Sequence, residues 1–215
     1  MAIDVASLRL CLVTDRGLAR GRSVIDVALA AARGGATMVQ LREKEATTRA
    51  FVEEARALKK ALAPLGVKLA INDRLDVALA VDADGLHVGQ SDMPVEDARR
   101  LLGPDKFIGL SITDVAQVLR PDASAADYLG VGPIYPQRTK GDAAAPLGLD
   151  GLRRIRALTR APIVAIGGLT PDNSAPALAA GADGLAVVSA IVAADDPEAA
   201  TRRFASTASL GARGK

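Results

Sequence analysis

The sequence predicts an α/β protein of the (β/α)8 TIM-barrel class, with one domain over residues 1–215. Three observations carry that reading. Eight short apolar runs alternate with eight helical patterns, each pair about 20 to 30 residues long, as in such a barrel. The chain of 215 residues has the length of one barrel. Most apolar runs end in small, polar or charged residues, on the side where barrels keep their active sites.

Composition agrees. Half the residues are hydrophobic (49%) but only 2% are aromatic, so the core must be Ala, Leu, Val and Ile. That suits helices packed on a buried parallel sheet. The formal charge of +2, with no basic cluster interleaved with aromatics, gives no sign of a nucleic-acid surface. No apolar run approaches the roughly 18 residues of a bilayer span. The N-terminus, MAIDVASLR, lacks the basic start and apolar core of a signal peptide. The lone Cys11 lies in an apolar run, which fits a small core residue in a reducing compartment. The expectation is a cytoplasmic chain with no nucleic-acid or membrane partner, frayed at residues 1–7 and 209–215.

The elements follow in order. Leu8–Thr14 reads as the first strand, with Asp15 to Gly17 as a turn. Ser23 caps a helix with Val24, Val27, Ala28 and Ala31 on one face. Met38–Leu41 is the second strand and runs into Arg42, Glu43 and Lys44. A helix from Thr47 or Thr48 carries the stripe Phe51, Ala55, Leu58 and Leu62, closed by Pro64 and Gly66. Lys68–Ile71 is the third strand, ending in Asn72 and Asp73, and a short helix covers Leu75 to Val81. Gly85–Val88 is the fourth, and Pro94 opens the next helix, to Leu102. Phe107–Leu110 is the fifth, ending at Ser111, with a short helix near Asp114 to Leu119. Tyr128–Val131 is the sixth, followed by the longest loop, a candidate lid over Pro136 to Pro146, and a helix from Leu149 to Leu158. Ile163–Ile166 is the seventh, ending in Gly167 and Gly168, with a helix over Asn173 to Ala180. Leu185–Val188 is the eighth, ending at Ser189, and the last helix begins near Pro197. Ala83-Asp84-Gly85-Leu86, Ala126-Asp127-Tyr128-Leu129 and Ala182-Asp183-Gly184-Leu185 form a recurring helix-to-strand joint. An open doubly wound sheet is the competing architecture, but it usually starts with a Gly-rich loop, and Thr14 to Gly17 is not one.

Closing the barrel brings Gln40, Arg42, Lys44, Asn72, Asp73, Asp92, Ser111, Thr139, Lys140, Gly168 and Ser189 to one face. Asp73 and Asp92 end neighbouring strands. Such a pair suits Mg²⁺, which takes one or two carboxylates and completes its shell with substrate phosphates and water. The plainer alternative pairs Asp73 with Arg74 and makes Asp92 a helix cap. Gly167-Gly168 and Ser189 match the glycine N–H and helix-start pattern that holds phosphate after strands seven and eight. His87, the sole histidine, sits in an apolar strand and fits a satisfied layer residue better than a catalyst. No Ser–His–Asp set and no zinc spacing can be built. A metal–diphosphate site opposite a monophosphate site points to a transferase joining two phosphorylated small molecules.

Here the motifs are recognisable. Gln40-Leu41-Arg42-Glu43-Lys44, Ile71-Asn72-Asp73-Arg74, His87-Val88-Gly89-Gln90-Ser91-Asp92, Gly132-Pro133-Ile134-Tyr135-Pro136, Thr139-Lys140, Ile166-Gly167-Gly168 and Val187-Val188-Ser189-Ala190-Ile191 resemble the thiamine-phosphate synthase family from Leu12 to about Phe204. The resemblance implies a barrel enzyme that joins an aminopyrimidine methyl diphosphate to a thiazole phosphate by dissociative substitution. It implies that Gln40, Leu41, Arg42, Glu43, Lys44, Asn72, Ser111 and Lys140 hold the pyrimidine diphosphate, with Arg42, Lys44, Ser111 and Lys140 catalytic. Asp73 and Asp92 would bind Mg²⁺; Gln137, Arg138, Thr139, Gly168, Val188 and Ser189 would hold the thiazole phosphate. Two positions depart from the family pattern: Gln137 stands where Thr is usual, and Thr113 where a His is frequent. A related thiazole tautomerase, which uses that His, is the first alternative. A non-catalytic barrel that senses thiamine precursors is the second, and a phosphosugar isomerase or aldolase barrel a distant third.

Overall fold

Eight parallel strands pair in sequence order and close on themselves. They are β1 (Leu10–Val13), β2 (Met38–Leu41), β3 (Lys68–Asn72), β4 (Gly85–Val88), β5 (Phe107–Ile112), β6 (Tyr128–Val131), β7 (Ile163–Ile166) and β8 (Gly184–Val187). β8 pairs back onto β1 with Leu10 opposite Leu185, so the predicted barrel is present. The computed structural model of the protein describes residues 3–136 and 145–211, so Gln137, Arg138, Thr139 and Lys140 lie outside the described residues.

The helices are α1 (Val24–Arg33), α2 (Thr48–Leu62), α3 (Leu75–Val81), α4 (Val95–Leu102), α5 (Pro121–Ala125), α6 (Gly148–Leu158), α7 (Ser174–Ala179), α8 (Ser189–Val192) and α9 (Pro197–Gly211). Ser23 caps α1 as expected, accepting from the Ile25 and Asp26 N–H groups, and of the two threonines that could start α2 it is Thr47 that caps it, accepting from the Ala50 N–H. The stripes read from the sequence are the buried faces of those two helices.

Three differences from the sequence reading bear on the site. β5 runs on to Ile112, so Ser111 lies inside a strand and not after it. The first strand starts at Leu10, because Val5–Leu8 form a 3-10 turn capped by Asp4. This corrects the frayed N-terminus from Ile3 onward: Ile3 and Leu8 are buried against the barrel interior and close its lower end. β8 ends one residue earlier, at Val187, and a short helix, α8, starts at Ser189 ahead of the last helix near Pro197.

The core divides in two. Strand side chains alternate between faces. Val39, Leu41, Leu69, Ile71, Leu86, Val88, Ile108 and Leu110 therefore pack outward under the helices. Cys11, Met38, Ala70, Phe107, Tyr128, Val164 and Ala186 pack inward. Four joints tie odd strands to their even partners at the lower rim. Leu10 N–H donates to Thr37 Oγ1 at 3.0 Å, Leu69 N–H to Asp84 Oδ2 at 2.9 Å, Ile108 N–H to Asp127 Oδ2 at 2.8 Å, and Ile163 N–H to Asp183 Oδ2 at 3.0 Å. In return Thr37, Asp84, Asp127 and Asp183 donate their own N–H to the carbonyls of the same four residues.

Candidate active site

The same alternation builds the site. Two residues above Met38 on β2 comes Gln40; two above Ala70 on β3 comes Asn72; four above Phe107 on β5 comes Ser111. The inward positions thus change from apolar to polar toward the C-terminal ends of the strands. They open into a cavity of about 460 Å³, also lined by Asp15, Arg42, His87, Thr113, Tyr128, Gly168, Val188 and Ser189.

Gln40 and Asn72 are buried, and Gln40 Nε2 donates to Asn72 Oδ1 at 2.6 Å. That bond leaves the Gln40 carbonyl and the Asn72 amide N–H groups for a ligand. Arg42 is fixed by its backbone N–H to Thr14 Oγ1 (2.9 Å) and by its guanidinium to Asp15 (3.5 Å). In the sequence Thr14 and Asp15 show only as strand end and turn.

Two side chains expected against the pyrimidine diphosphate lie elsewhere. Leu41 is an outward residue and fully buried beneath the helices. Glu43 pairs with Arg16 at 2.6 Å, and Arg16 also reaches Glu54 at 2.8 Å. The charge of Glu43 therefore secures the loop after β2. Lys44 is exposed at the rim.

Asp73 and Asp92 meet. Asp73 has left-handed backbone, φ 62°, which costs a non-glycine residue free energy and is tolerated best by Asn and Asp. Its N–H donates to the His87 carbonyl at 2.8 Å, tying the end of β3 to β4. Burial, the neighbouring charge of Asp92 and a hydrogen bond with it push the Asp73 carboxyl up to about 6, while Lys44 and Arg42 pull the other way. The acidic pair and the basic cluster therefore share one rim. The plainer alternatives fail. Arg74 pairs with Asp76 at 2.5 Å. Neither α3 nor α4 has a side-chain cap bond, and Asp92 accepts instead from the Gly89 N–H at 2.7 Å. Among the described residues no group of three or more His, Cys, Asp or Glu could hold a metal ion. The pair alone offers two hard ligands, and Mg²⁺ would draw the rest from substrate oxygens and water.

Ser111 Oγ lies 2.9 Å from His87 Nε2. Gln90 Nε2 donates to the Ser111 carbonyl at 2.8 Å, and Arg120 donates to Gln90 Oε1 at 3.2 Å. Gln90 stands in the His87–Asp92 motif, but its reach across to β5 has no signal in the sequence. Thr113 is bonded to Gln117 through both N–H and hydroxyl.

Across the cavity, Gly167 and Gly168 have φ 97° and 68°. Asn173 Nδ2 donates to the Gly168 carbonyl at 3.0 Å, and Tyr135 hydroxyl to the Asn173 carbonyl at 3.0 Å. Arg22 donates to the Val192 and Ala194 carbonyls, both at 2.7 Å, and so secures the far end of α8 behind Ser189. A second, more open depression beside Pro162 and Arg160 lies at the opposite rim. Its Arg156 is already engaged with Asp183 and the carbonyls of Thr159 and Ala161.

Comparison with known proteins gives a consistent picture. A family model described as thiamine monophosphate synthase matches residues 10–191. The thiamine-phosphate synthase of Chloroflexus aurantiacus is 56% identical over 96% of this chain and 95% of its own. That of Albidiferax ferrireducens is 54% identical over 94% of this chain and 92% of its own. Among solved structures, thiamine phosphate pyrophosphorylase from Pyrococcus furiosus superposes with a TM-score of 0.88 at 37% identity, covering 96% of this chain and 98% of that one. A 3-hexulose-6-phosphate synthase, at 18% identity and a TM-score of 0.67, shares the fold.

Proposed function

The chain belongs to the thiamine monophosphate synthase family, and from that premise we propose how its barrel performs the reaction. It is a transferase of thiamine biosynthesis that condenses two phosphorylated small molecules. In that reaction 4-amino-2-methyl-5-(diphosphooxymethyl)pyrimidine and 4-methyl-5-(2-phosphooxyethyl)thiazole give thiamine phosphate and diphosphate. The methylene C–O bond breaks and a C–N bond forms to the thiazole nitrogen. No proton changes place at the reacting atoms, so no activated protein nucleophile is needed.

Our reading of the finer steps is dissociative. An aminopyrimidine delocalises positive charge on its methylene carbon, so diphosphate departs before the thiazole attacks. Gln40 and Asn72 hold the ring by the amide groups their mutual bond leaves over. Arg42, Lys44 and Lys140 balance charge growing on the leaving oxygens. Asp73 and Asp92 hold Mg²⁺, which when bound would neutralise that same charge. Gly168, Val188 and Ser189, with Gln137, Arg138 and Thr139, take the thiazole phosphate.

The observation that carries this reading is the acidic pair beside Arg42 and Lys44. Burial first, and then the neighbouring charge of Asp92, raise the Asp73 carboxyl to about 6, and a divalent cation would relieve both. The test is to mix the purified protein with both precursors, with and without Mg²⁺, and follow thiamine phosphate. Metal-dependent product that is lost in Asp73→Ala and Lys140→Ala supports it. Turnover indifferent to Mg²⁺ and to both substitutions would overturn the site assignment. Precursor binding without product would favour the sensor.

A further inference from the structure

Ser111 tops a chain of three polar side chains that runs down into the apolar part of the barrel interior. Tyr128 hydroxyl is 2.8 Å from His87 Nδ1, and His87 Nε2 is 2.9 Å from Ser111 Oγ. The rings of Tyr128 and His87 lie 5.5 Å apart and tilted by 40°. The neighbouring strands make room for them. A Cβ on Gly109 would come within 2.2 Å of Tyr128 Cζ and 2.5 Å of His87 Nδ1, and one on Gly130 within 2.9 Å of His87 Cε1. Two strand glycines thus provide the space that the pair fills.

We infer that Tyr128 and His87 form a one-way hydrogen-bond relay that fixes Ser111 as a hydrogen-bond donor to the substrate. The direction follows from the ends. Among the described residues the Tyr128 hydroxyl has one hydrogen-bond partner, His87 Nδ1. If it accepted from an Nδ1–H, its own proton would be left buried and unsatisfied, which costs more than a lost bond. Tyr128 is 1% exposed, so the phenol donates and Nδ1 accepts. Burial also holds the phenol well above its usual range, keeping it protonated. A neutral ring whose Nδ1 accepts carries its hydrogen on Nε2. That hydrogen occupies a lone pair of Ser111 Oγ, and the serine hydrogen is left to point into the cavity. Ser111 then takes an acceptor of the pyrimidine diphosphate, a ring nitrogen or a phosphate oxygen. The Gln40 carbonyl is left to accept from the exocyclic amino group. Tyr128 and His87 are positioning residues here, acting through Ser111.

The substrate half of this inference rests on the function proposed above; the relay itself does not, so the experiment has two arms. His87 is the only histidine in the sequence. Tag-free protein labelled with ¹⁵N-histidine therefore gives one pair of ring-nitrogen signals. At pH 7 we expect a neutral ring protonated on Nε2, and in Tyr128→Phe a mixture of the two tautomers. A ring protonated on Nδ1, or on both nitrogens, overturns the relay whatever the enzyme catalyses. In the kinetic arm, Tyr128→Phe lowers kcat/KM for the pyrimidine substrate by about five- to tenfold, the size of one hydrogen bond. KM for the thiazole phosphate does not change, and adding Tyr128→Phe to Ser111→Ala costs nothing further. Fully additive losses would overturn the coupling. Wild-type protein with the expected tautomer but no product would sink the proposed function and leave the relay standing.

Discussion

At the scale of single residues, Asp73 sets need against comfort. Its backbone is left-handed, its carboxyl is half-buried, and Asp92 stands beside it. The folded value of about 6 exceeds the ordinary 3.8. The fold therefore binds this proton more tightly than the unfolded chain does. Stability falls as pH rises from 3.8 through 6 and stays lower at neutrality. Asn tolerates the same backbone and carries no charge. Asp73→Asn should accordingly raise the thermal midpoint by a few degrees at pH 7.5 in EDTA, while nearly abolishing product formation. Wild-type protein should gain stability on adding Mg²⁺, and Asp73→Asn should not. A variant less stable than wild type in EDTA would mean that the buried charge of Asp73 and its repulsion from Asp92 do not destabilise the fold. Asp92→Asn tests the other half of the pair. Turnover should fall about 100-fold, with partial recovery at high Mg²⁺, as for loss of one ligand among several.

At the scale of elements, the barrel divides into four strand pairs, each latched at the lower rim. The latches differ in strength by what stands behind the acceptor. Asp127 is also held by Arg99, which reaches the Gly103 and Lys106 carbonyls. Asp183 has Arg156 at 3.1 Å, whereas among the described residues Asp84 has only a half-exposed Lys68 as its ion-pair partner, at 3.4 Å. Asp127→Ala should thus cost ~2–3 kcal/mol and Asp84→Ala ~1 kcal/mol, with Asp183→Ala between them. Urea midpoints that fall in this order with an unchanged slope would bear it out, and the reverse order would contradict it. Three of these joints were legible as an Ala-Asp echo before the strands. The fourth was not, because Thr37 does the work of the aspartate with a hydroxyl. What the sequence showed well were elements whose signal is local: β2, β4, β6 and β7, the cap Ser23, and the stripe of α2. It missed what depends on distant partners. Ser111 sits within β5 because β6 continues to pair opposite it, with Ser111 against Gly130. Leu41 was expected at the substrate because it stands in the motif, yet the alternation that turns Gln40 inward turns Leu41 out. The N-terminal turn is ordered because the open lower end of the barrel accepts Ile3 and Leu8, which no short window of sequence can reveal.

At the scale of the whole molecule, the two ends of the cavity are held by different strands. The cationic and acidic rim belongs to β2, β3 and β4; the glycine turn and α8 belong to β7 and β8. No hydrogen bond among the described residues links Gly168 to Arg42, Asp73 or Asp92. The two substrates should therefore be separable by mutation. Gly168 is the sharpest probe on the far side. Its φ of 68° disfavours any side chain, and an added Cβ would meet Tyr135 Cβ at 2.7 Å and the Pro136 carbonyl at 2.9 Å. Gly168→Ala must displace the start of the loop after β6 or turn its own N–H away. Either way the thiazole phosphate loses its seat. KM for the thiazole phosphate should rise by about tenfold or more, while KM for the pyrimidine diphosphate stays within about twofold. Arg42→Ala should give the opposite split. Should both substitutions weaken both substrates in parallel, the cavity would be one coupled site, and the division of the barrel into two phosphate-binding halves would have to be abandoned.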